Sequence, residues 1–397
     1  MGIRALYHLS EKSDLSFPIL EEFTFEPTRE YWFGQESFML GNVFKLPRLS
    51  SLKFLLNSCF HFESFDSFPF PLSNLKHLHL YACHRDAMDL RELLRACPLL
   101  ETCNLIAVPN FKVAGIENDL PTDEFPHLRH LTLKFGGIIG SPGFLNGVRL
   151  PALEKLDLHL PKYFAPEPDE DDNHPHILPY LTSLHDRAPF PLRELTLAYC
   201  VHDKAADIVT FLKRFNSTLQ TLNLDDCKLD VPVFCGALRA TTECKVPLPN
   251  LTKISITQTQ EEEYYDLDDP EEAGFDHPRE TDIIIADMVL SRWRPYADDE
   301  DVVDKDTEIG KEVASRSKKG GKKKVGRGKG KGKVKGTTET SIPTTKWPVA
   351  KLTRGFTFLT YHRDLEEEAM AKLNECKEEG MPLEVDWGKI PDYDSGH

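Results

Sequence analysis

The stretch Phe125-Pro-His-Leu-Arg-His-Leu-Thr-Leu133, echoed by Leu150-Pro-Ala-Leu-Glu-Lys-Leu-Asp-Leu158, decides how this chain folds. Alternation with a period of two puts Leu131 and Leu133 on one side of a short strand and His130 and Thr132 on the other. A strand this short cannot bury its own leucines, so it needs neighbours built the same way. Working outward, the frame Leu-x-x-Leu-x-Leu recurs with first positions at Leu20, Leu49, Leu75, Leu100, Leu128, Leu153, Leu192, Leu219 and Leu251. Leucine fills 21 of the 27 frame positions, so the units share an apolar side and differ on the other. From 20 to 251 there are eight intervals, a mean of 231/8 or about 29 residues, at the upper end of the leucine-rich-repeat period.

Between these strands lie amphipathic stretches. Leu90, Leu93, Leu94 and Cys97 follow helical spacing, as do Ile208, Phe211, Leu212 and Phe215. Proline precedes eight of the nine frames, which predicts that it ends the preceding element and starts the extended one. Cys83, Cys200 and Cys227 each follow the last leucine of a frame by three residues, the slot in which such repeats place a small inward-facing Asn or Cys. Late in the chain Phe356 and Phe358 alternate again, although Leu352-Thr-Arg-Gly-Phe356 is one residue too long for the frame. A helix from about residue 364, with Leu365, Ala369, Leu373 and Cys376 on one face, is predicted to end at Gly380 and cap the array.

The fold class expected is therefore α/β: a leucine-rich-repeat solenoid, or horseshoe, with a parallel concave sheet and convex helices, interrupted by a disordered charged loop. The predicted organisation is a solenoid over 1–295, an acidic then Lys/Gly-rich loop over 296–345, a terminal strand and capping helix over 346–390, and a tail over 391–397.

Composition narrows the function classes. The 397 residues carry 48 Lys+Arg against 64 Asp+Glu, a net charge of −16, and no apolar run of the roughly 18 to 20 residues a membrane span needs. The start, MGIRALYHLSEK, lacks the apolar core of a secretory signal. The nine cysteines contain no Cys-x-x-Cys pair. Reduced thiols in a cytoplasmic or nuclear protein without a membrane attachment are expected, and the sequons at Asn216 and Asn250 then carry no meaning.

Acidic runs at Glu167–Asp172, Glu261–Glu272 and Asp298–Glu308 read as solvated loops. Lys311–Lys335 holds 12 Lys/Arg, one acid and six glycines, so the rest of the chain sums to −16 − 11 = −27. Three readings of that run stand side by side: a solvated linker, a nuclear-import cluster at Lys318, Lys319, Lys322, Lys323 and Lys324, or a nucleic-acid contact. The last is disfavoured because no aromatic residue is interleaved to stack on bases.

Catalytic patterns are missing, so the chain is expected not to be an enzyme and to need no cofactor. Gly321-Lys-Lys-Lys-Val-Gly326 imitates a phosphate-binding loop but continues Arg327-Gly328 instead of Lys-Ser/Thr. His84-Arg85-Asp86 lacks the other parts of a kinase site. His77 and His79 share one side of a strand, yet a metal would want a third ligand, and His130 stands two repeats away, roughly 10 Å at about 4.8 Å per strand, too far for one ion.

The polar side of the strands is the expected partner-binding surface. Lys53, His79, Asn104, Asp157 and Asn223 fall in one column, and His77, His130, Lys155, Glu194 and Lys253 in the one before it. Nine strands span on the order of 40 Å, suited to a folded protein partner rather than a small molecule.

The motifs FPILEEFTF, FPHLRHLTL, LPALEKLDL, FPLRELTL and LPNLTKISI, followed by ADMVLSRWRP (Ala286–Pro295) and KEEGMPLEV (Lys377–Val385), carry a family resemblance. Together they resemble the leucine-rich-repeat region of the F-box-like protein families of mushroom-forming fungi, over roughly 1–295 and 346–388. The resemblance implies the substrate-recognition part of a ubiquitin-ligase subunit, with an unidentified protein as partner. Such proteins dock a Skp1-type adaptor through an F-box opening with a Leu-Pro-x-Glu-like motif, whereas this chain reaches its first repeat by Pro18. A Skp1-type partner is thus expected only where an F-box lies upstream. The alternative is a nuclear scaffold or nucleic-acid-associated protein that works through the Lys/Gly run.

Overall fold

The computed structural model describes residues 18–25, 46–56, 72–82, 90–108, 123–135, 145–160, 177–200, 205–227, 229–240, 247–258, 278–294, 351–360 and 365–387. The chain divides into two compact units, 1–295 with 349–397 and, separately, 296–348; every described residue belongs to the first. The acidic runs, the lysine cluster at 318–324 and Cys83 lie outside the described residues.

The strands, in chain order, are Glu22–Phe25 (β1), Ser51–Leu56 (β2), His77–Ala82 (β3), Thr102–Val108 (β4), Asp123–Glu124 (β5), His130–Phe135 (β6), Val148–Arg149 (β7), Lys155–His159 (β8), Glu194–Ala198 (β9), Thr221–Asp225 (β10), Lys253–Gln258 (β11), Gly355–Thr360 (β12) and Leu383–Trp387 (β13). All but β5 and β7 form one 11-stranded sheet in which spatial order follows chain order. Every pairing in that sheet is parallel. Frame positions align from strand to strand: Leu52 meets Leu78, Leu78 meets Cys103, and the row continues through Leu131, Leu156, Leu195, Leu222 and Ile254 to Phe356. The fold is thus α/β with a long parallel sheet, an arrangement compatible with a solenoid.

Two local devices hold this register. First, the proline before the frame sits at the second position of a β-turn: Leu153 N–H bonds to Leu150 O across Pro151, and the same turn surrounds Pro47, Pro98, Pro126 and Pro249, at 3.1–3.4 Å. The expectation that proline merely stops one element and begins another is therefore incomplete, because its fixed φ also presets the turn that aims the strand. Second, the carbonyl of the residue that directly follows the turn accepts two N–H groups from the following unit. Glu101 O receives Arg129 and His130, Arg129 O receives Glu154 and Lys155, and eight successive carbonyls from Glu21 to Gln220 do the same, at 2.7–3.1 Å.

The leucine side is buried. Leu128, Leu131, Leu153, Leu192, Leu195, Leu219, Leu222 and Leu251 have no exposed surface and join one continuous apolar cluster with the helices. Those helices are Leu90–Ala96 (α1), Ile177–Arg187 (α2), Ala205–Leu212 (α3), Val231–Leu238 (α4), Pro278–Trp293 (α5) and Glu367–Glu378 (α6). The predicted apolar face of α3 is buried through Ile208, Phe211 and Leu212, and that of α6 through Ala369, Leu373 and Cys376. Around β6 the outer layer instead carries the two-stranded pair β5–β7, where Asp123 N–H bonds to Gly147 O and Phe125 N–H to Arg149 O. Nothing in the spacing of that region announces this pair.

Arginine side chains tie the outer layer together. Arg91 pairs with Asp123. Arg187 donates to the carbonyls of Leu145 at 2.8 Å and Val148 at 3.3 Å. Arg292 is wholly buried and donates to the carbonyls of Leu238, Pro247 and Leu248 at 2.6–3.2 Å. Burial pushes its guanidinium down to about 10, the direction that follows when carbonyl oxygens alone replace water.

The C-terminal unit joins the sheet despite its irregular frame. β12 pairs with β11, and β13, which the repeat frame misses, adds an eleventh strand through Phe356↔Leu383 and Phe358↔Val385. Gly355, at φ +101°, absorbs the extra residue by closing a turn onto Leu352 O at 2.9 Å. A Cβ there would run into the carbonyl of Pro382. Helix α6 is clamped to α5 by Lys372–Asp287 at 3.1 Å, by Trp293 Nε1 donating to Glu379 Oε2 at 2.8 Å, and by Arg294 with Glu379. Gly355→Ala is expected to cost about 1–3 kcal/mol, from strain at positive φ and displacement of β13. Thermal melting beside Gly236→Ala, whose Cβ position meets nothing, checks this.

Candidate functional site

The ten predicted partner-binding residues fall into two continuous rows on the polar face. Strand pairing links Lys53, His79 and Asn104, and passes through Thr132 to Asp157 and through Thr196 to Asn223. The row before it links His77, through Thr102, to His130, Lys155 and Glu194, and through Thr221 to Lys253. His77 and His130 are exposed, and the other eight are half-buried among their row neighbours.

Side chains within the rows bind one another, which the linear sequence does not display. Asn104 Nδ2 donates to His79 Nδ1 at 3.1 Å, and Asn223 Nδ2 donates to Thr196 Oγ1 at 3.1 Å. Lys155 pairs with Glu194 at 3.1 Å, and Arg354 approaches the same carboxylate at 3.8 Å. Asp157 Oδ1 lies 2.6 Å from His159 Nε2, a contact too poorly aligned to count as a hydrogen bond. Burial alone would raise the Asp157 carboxyl, but His159, Lys134 and Lys155 outweigh it and hold the group below its usual range. Asp157 and Lys155 are therefore charges already answered from within the face.

The alternation continues one step beyond the predicted rows and builds a third. Tyr81, Ile106, Lys134, His159, Ala198, Asp225, Thr257 and Leu359 align across the sheet. Sequence reasoning stopped at the last leucine of each frame. The signal that would have found this row is simple: Phe135 is buried, so the strand keeps alternating past Leu133. The row matters because it brings an aromatic and an aliphatic side chain, Tyr81 and Ile106, side by side to the polar face near β2–β6.

Burial, then the neighbouring Lys53 cation, lowers the His79 pKa from 6.5. The ring is therefore neutral near pH 7, as its Nδ1 must be to accept from Asn104. Since the unfolded chain takes up this proton at higher pH than the folded one, the contribution to stability is present above about 6.5 and is lost as pH falls below it. An NMR titration is expected to place the His79 midpoint below 6.5, and Lys53→Gln is expected to move it upward.

The six described cysteines are buried and belong to the scaffold. Cys200 Sγ donates to Leu158 O and Cys227 Sγ to Leu197 O, each at 3.2 Å, so each thiol ties its turn to the strand before it. Tyr199 and Asp226, just ahead of them, take positive φ of 55° and 50° as the chain turns out of the strand. Burial pushes the thiols of Cys97, Cys227 and Cys235 up to about 12 and that of Cys376 to about 11, and raises Cys103 and Cys200 as well. All six are expected to resist alkylation at pH 8 in native protein and to react together once denatured, because nucleophilicity belongs to the thiolate. Peptide mass mapping reads this.

Among the described residues no three His, Cys, Asp or Glu side chains gather as a metal site, and no helix is long and apolar enough to cross a membrane. No family model, curated protein or solved structure matches the chain.

Proposed function

We propose that the protein is a leucine-rich-repeat solenoid whose polar, concave face holds another protein, and that it performs no catalysis. The observation that carries this reading is the three aligned rows of polar and half-apolar side chains on one face of an 11-stranded parallel sheet. Such a face commits no backbone group to the partner and leaves side-chain identity free to vary without disturbing the leucines beneath. Its length, ten strand steps at about 4.8 Å or roughly 48 Å, suits a folded protein or a long peptide rather than a metabolite. The turn thiols, the positive-φ turns and the doubled carbonyls support the repeat interpretation, since each recurs at the same place in successive units.

Within this proposal the likeness of the sequence motifs to fungal F-box-like proteins suggests a substrate-recognition part of a ubiquitin-ligase subunit in the cytoplasm or nucleus. A Skp1-type adaptor would be met through a separate F-box. The experiment is affinity purification from the native host with the full chain and with Thr132→Arg/Thr196→Arg, which places two bulky cations mid-face on half-buried outward positions. Proteins captured by the wild type are expected to be lost from the variant while its melting temperature stays close to wild type. Leu131→Ala, on the buried side of the same strand, is expected to cost about 2–5 kcal/mol and to weaken capture only through unfolding. An unchanged set of captured proteins with the double arginine variant would refute the concave-face reading.

A further inference from the structure

Charge is not spread evenly over the polar face. Across β2, β3, β4 and β6 the outward positions of all three rows contain no carboxylate. They hold Lys53, Lys134, His77, His79 and His130 instead. Among the described residues neither lysine has an ion pair. Glu101 stands beside this strip, where it bonds Lys76 at 3.1 Å at the head of β4. At the strip's borders acids return: Glu22 of β1 stands opposite Ser51, Asp157 of β8 lies within the field of Lys134, and farther on Glu194, Asp225 and Glu384 face outward against Lys155 and Lys253. A protein of net charge −16 thus carries, on the face proposed for recognition, one strip free of acids. Along that strip's edge run Tyr81 and Ile106, half-buried apolar groups next to the cations.

We propose that this strip, from β2 to β6, is a docking site for an acidic, extended polypeptide segment of a partner protein, with an aromatic or branched apolar residue resting on Tyr81 and Ile106. The inference rests on the concave-face reading and names the partner's chemistry. Three strand steps at about 4.8 Å make roughly 14 Å, the span of about four extended residues, so carboxylates at alternate positions reach both Lys53 and Lys134. The histidines add donors at short range without the long-range field of permanent charges. Nucleic acid is the poorer fit: the strip has no arginine and only two lysines, and the acidic body repels a long polyphosphate.

The probe is a fluorescein-labelled peptide, Glu-Glu-Phe-Glu-Glu-Leu-Glu-Glu, titrated with the full chain by fluorescence polarisation. Saturable binding is expected, weakened several-fold by added salt. Lys53→Glu/Lys134→Glu is expected to weaken it by about 10-fold or more, and Lys253→Glu at the opposite end by less than about 2-fold, with melting curves showing both folded. Equal binding by wild type and Lys53→Glu/Lys134→Glu, equal binding of the peptide with every Glu replaced by Lys, or tighter binding of a 12-nucleotide single strand would each overturn the proposal. So would a gain of about 10-fold on changing the acids of Glu167–Asp172 to Gln, since the chain's own acidic run would then be the occupant. Loss of captured proteins with Thr132→Arg/Thr196→Arg but no peptide binding would retire the acidic-partner inference and leave the concave-face reading standing. Peptide binding with unchanged capture would do the reverse.

Discussion

Everything in this fold depends on one carbonyl per unit accepting two N–H groups from the unit that follows. That oxygen belongs to the residue that directly follows the turn, and it fixes where the next strand begins. Once the start is fixed, the parallel ladder sets every later residue opposite its counterpart, and apolar residue falls on apolar residue from β2 to β11. A slip by one residue would turn the whole apolar set of a strand toward water. The doubled bond and the turn make that slip costly at each step, locally, before long-range packing contributes.

The consequence is that the polar face is built by subtraction. Because backbone groups are committed to the ladder and leucines to the core, only the outward side chains remain to distinguish one unit from the next. They interact along rows, across strands, as Asn104 does with His79 and Lys155 with Glu194. Some charges are thereby cancelled within the face, whereas Lys53 and Lys134 form no ion pair among the described residues. The outer layer has the opposite character. It varies between helix and paired strand, and buried arginines satisfy the carbonyls that irregular turns leave behind.

Much of the scaffold was legible in the linear chain, and the reason is periodicity. Strand positions, the burial of Leu131 or Leu195, the inward thiols of Cys200 and Cys227 and the apolar face of α6 all follow from a pattern that repeats about every 29 residues. A periodic signal survives substitutions at single positions, as Cys103 shows by standing in for leucine with no exposed surface. The expected rows of the polar face aligned as well, since alternation is the same physics. What escaped was the third row, where the alternation runs past the last leucine of the frame, and two elements outside the period, the β5–β7 pair and the strand β13.

By itself, then, the sequence determined the strand positions, the direction each leucine faces and the sign of the overall charge, because these depend on residue type and spacing alone. Only the tertiary structure decided which polar side chains meet. The pairs His79–Asn104 and Lys155–Glu194, the three carbonyls closed by Arg292, and the strip without carboxylates all join residues whose relation is set by stacking between units. No local spacing encodes those contacts, since the distance that matters runs across the strands and not along the chain.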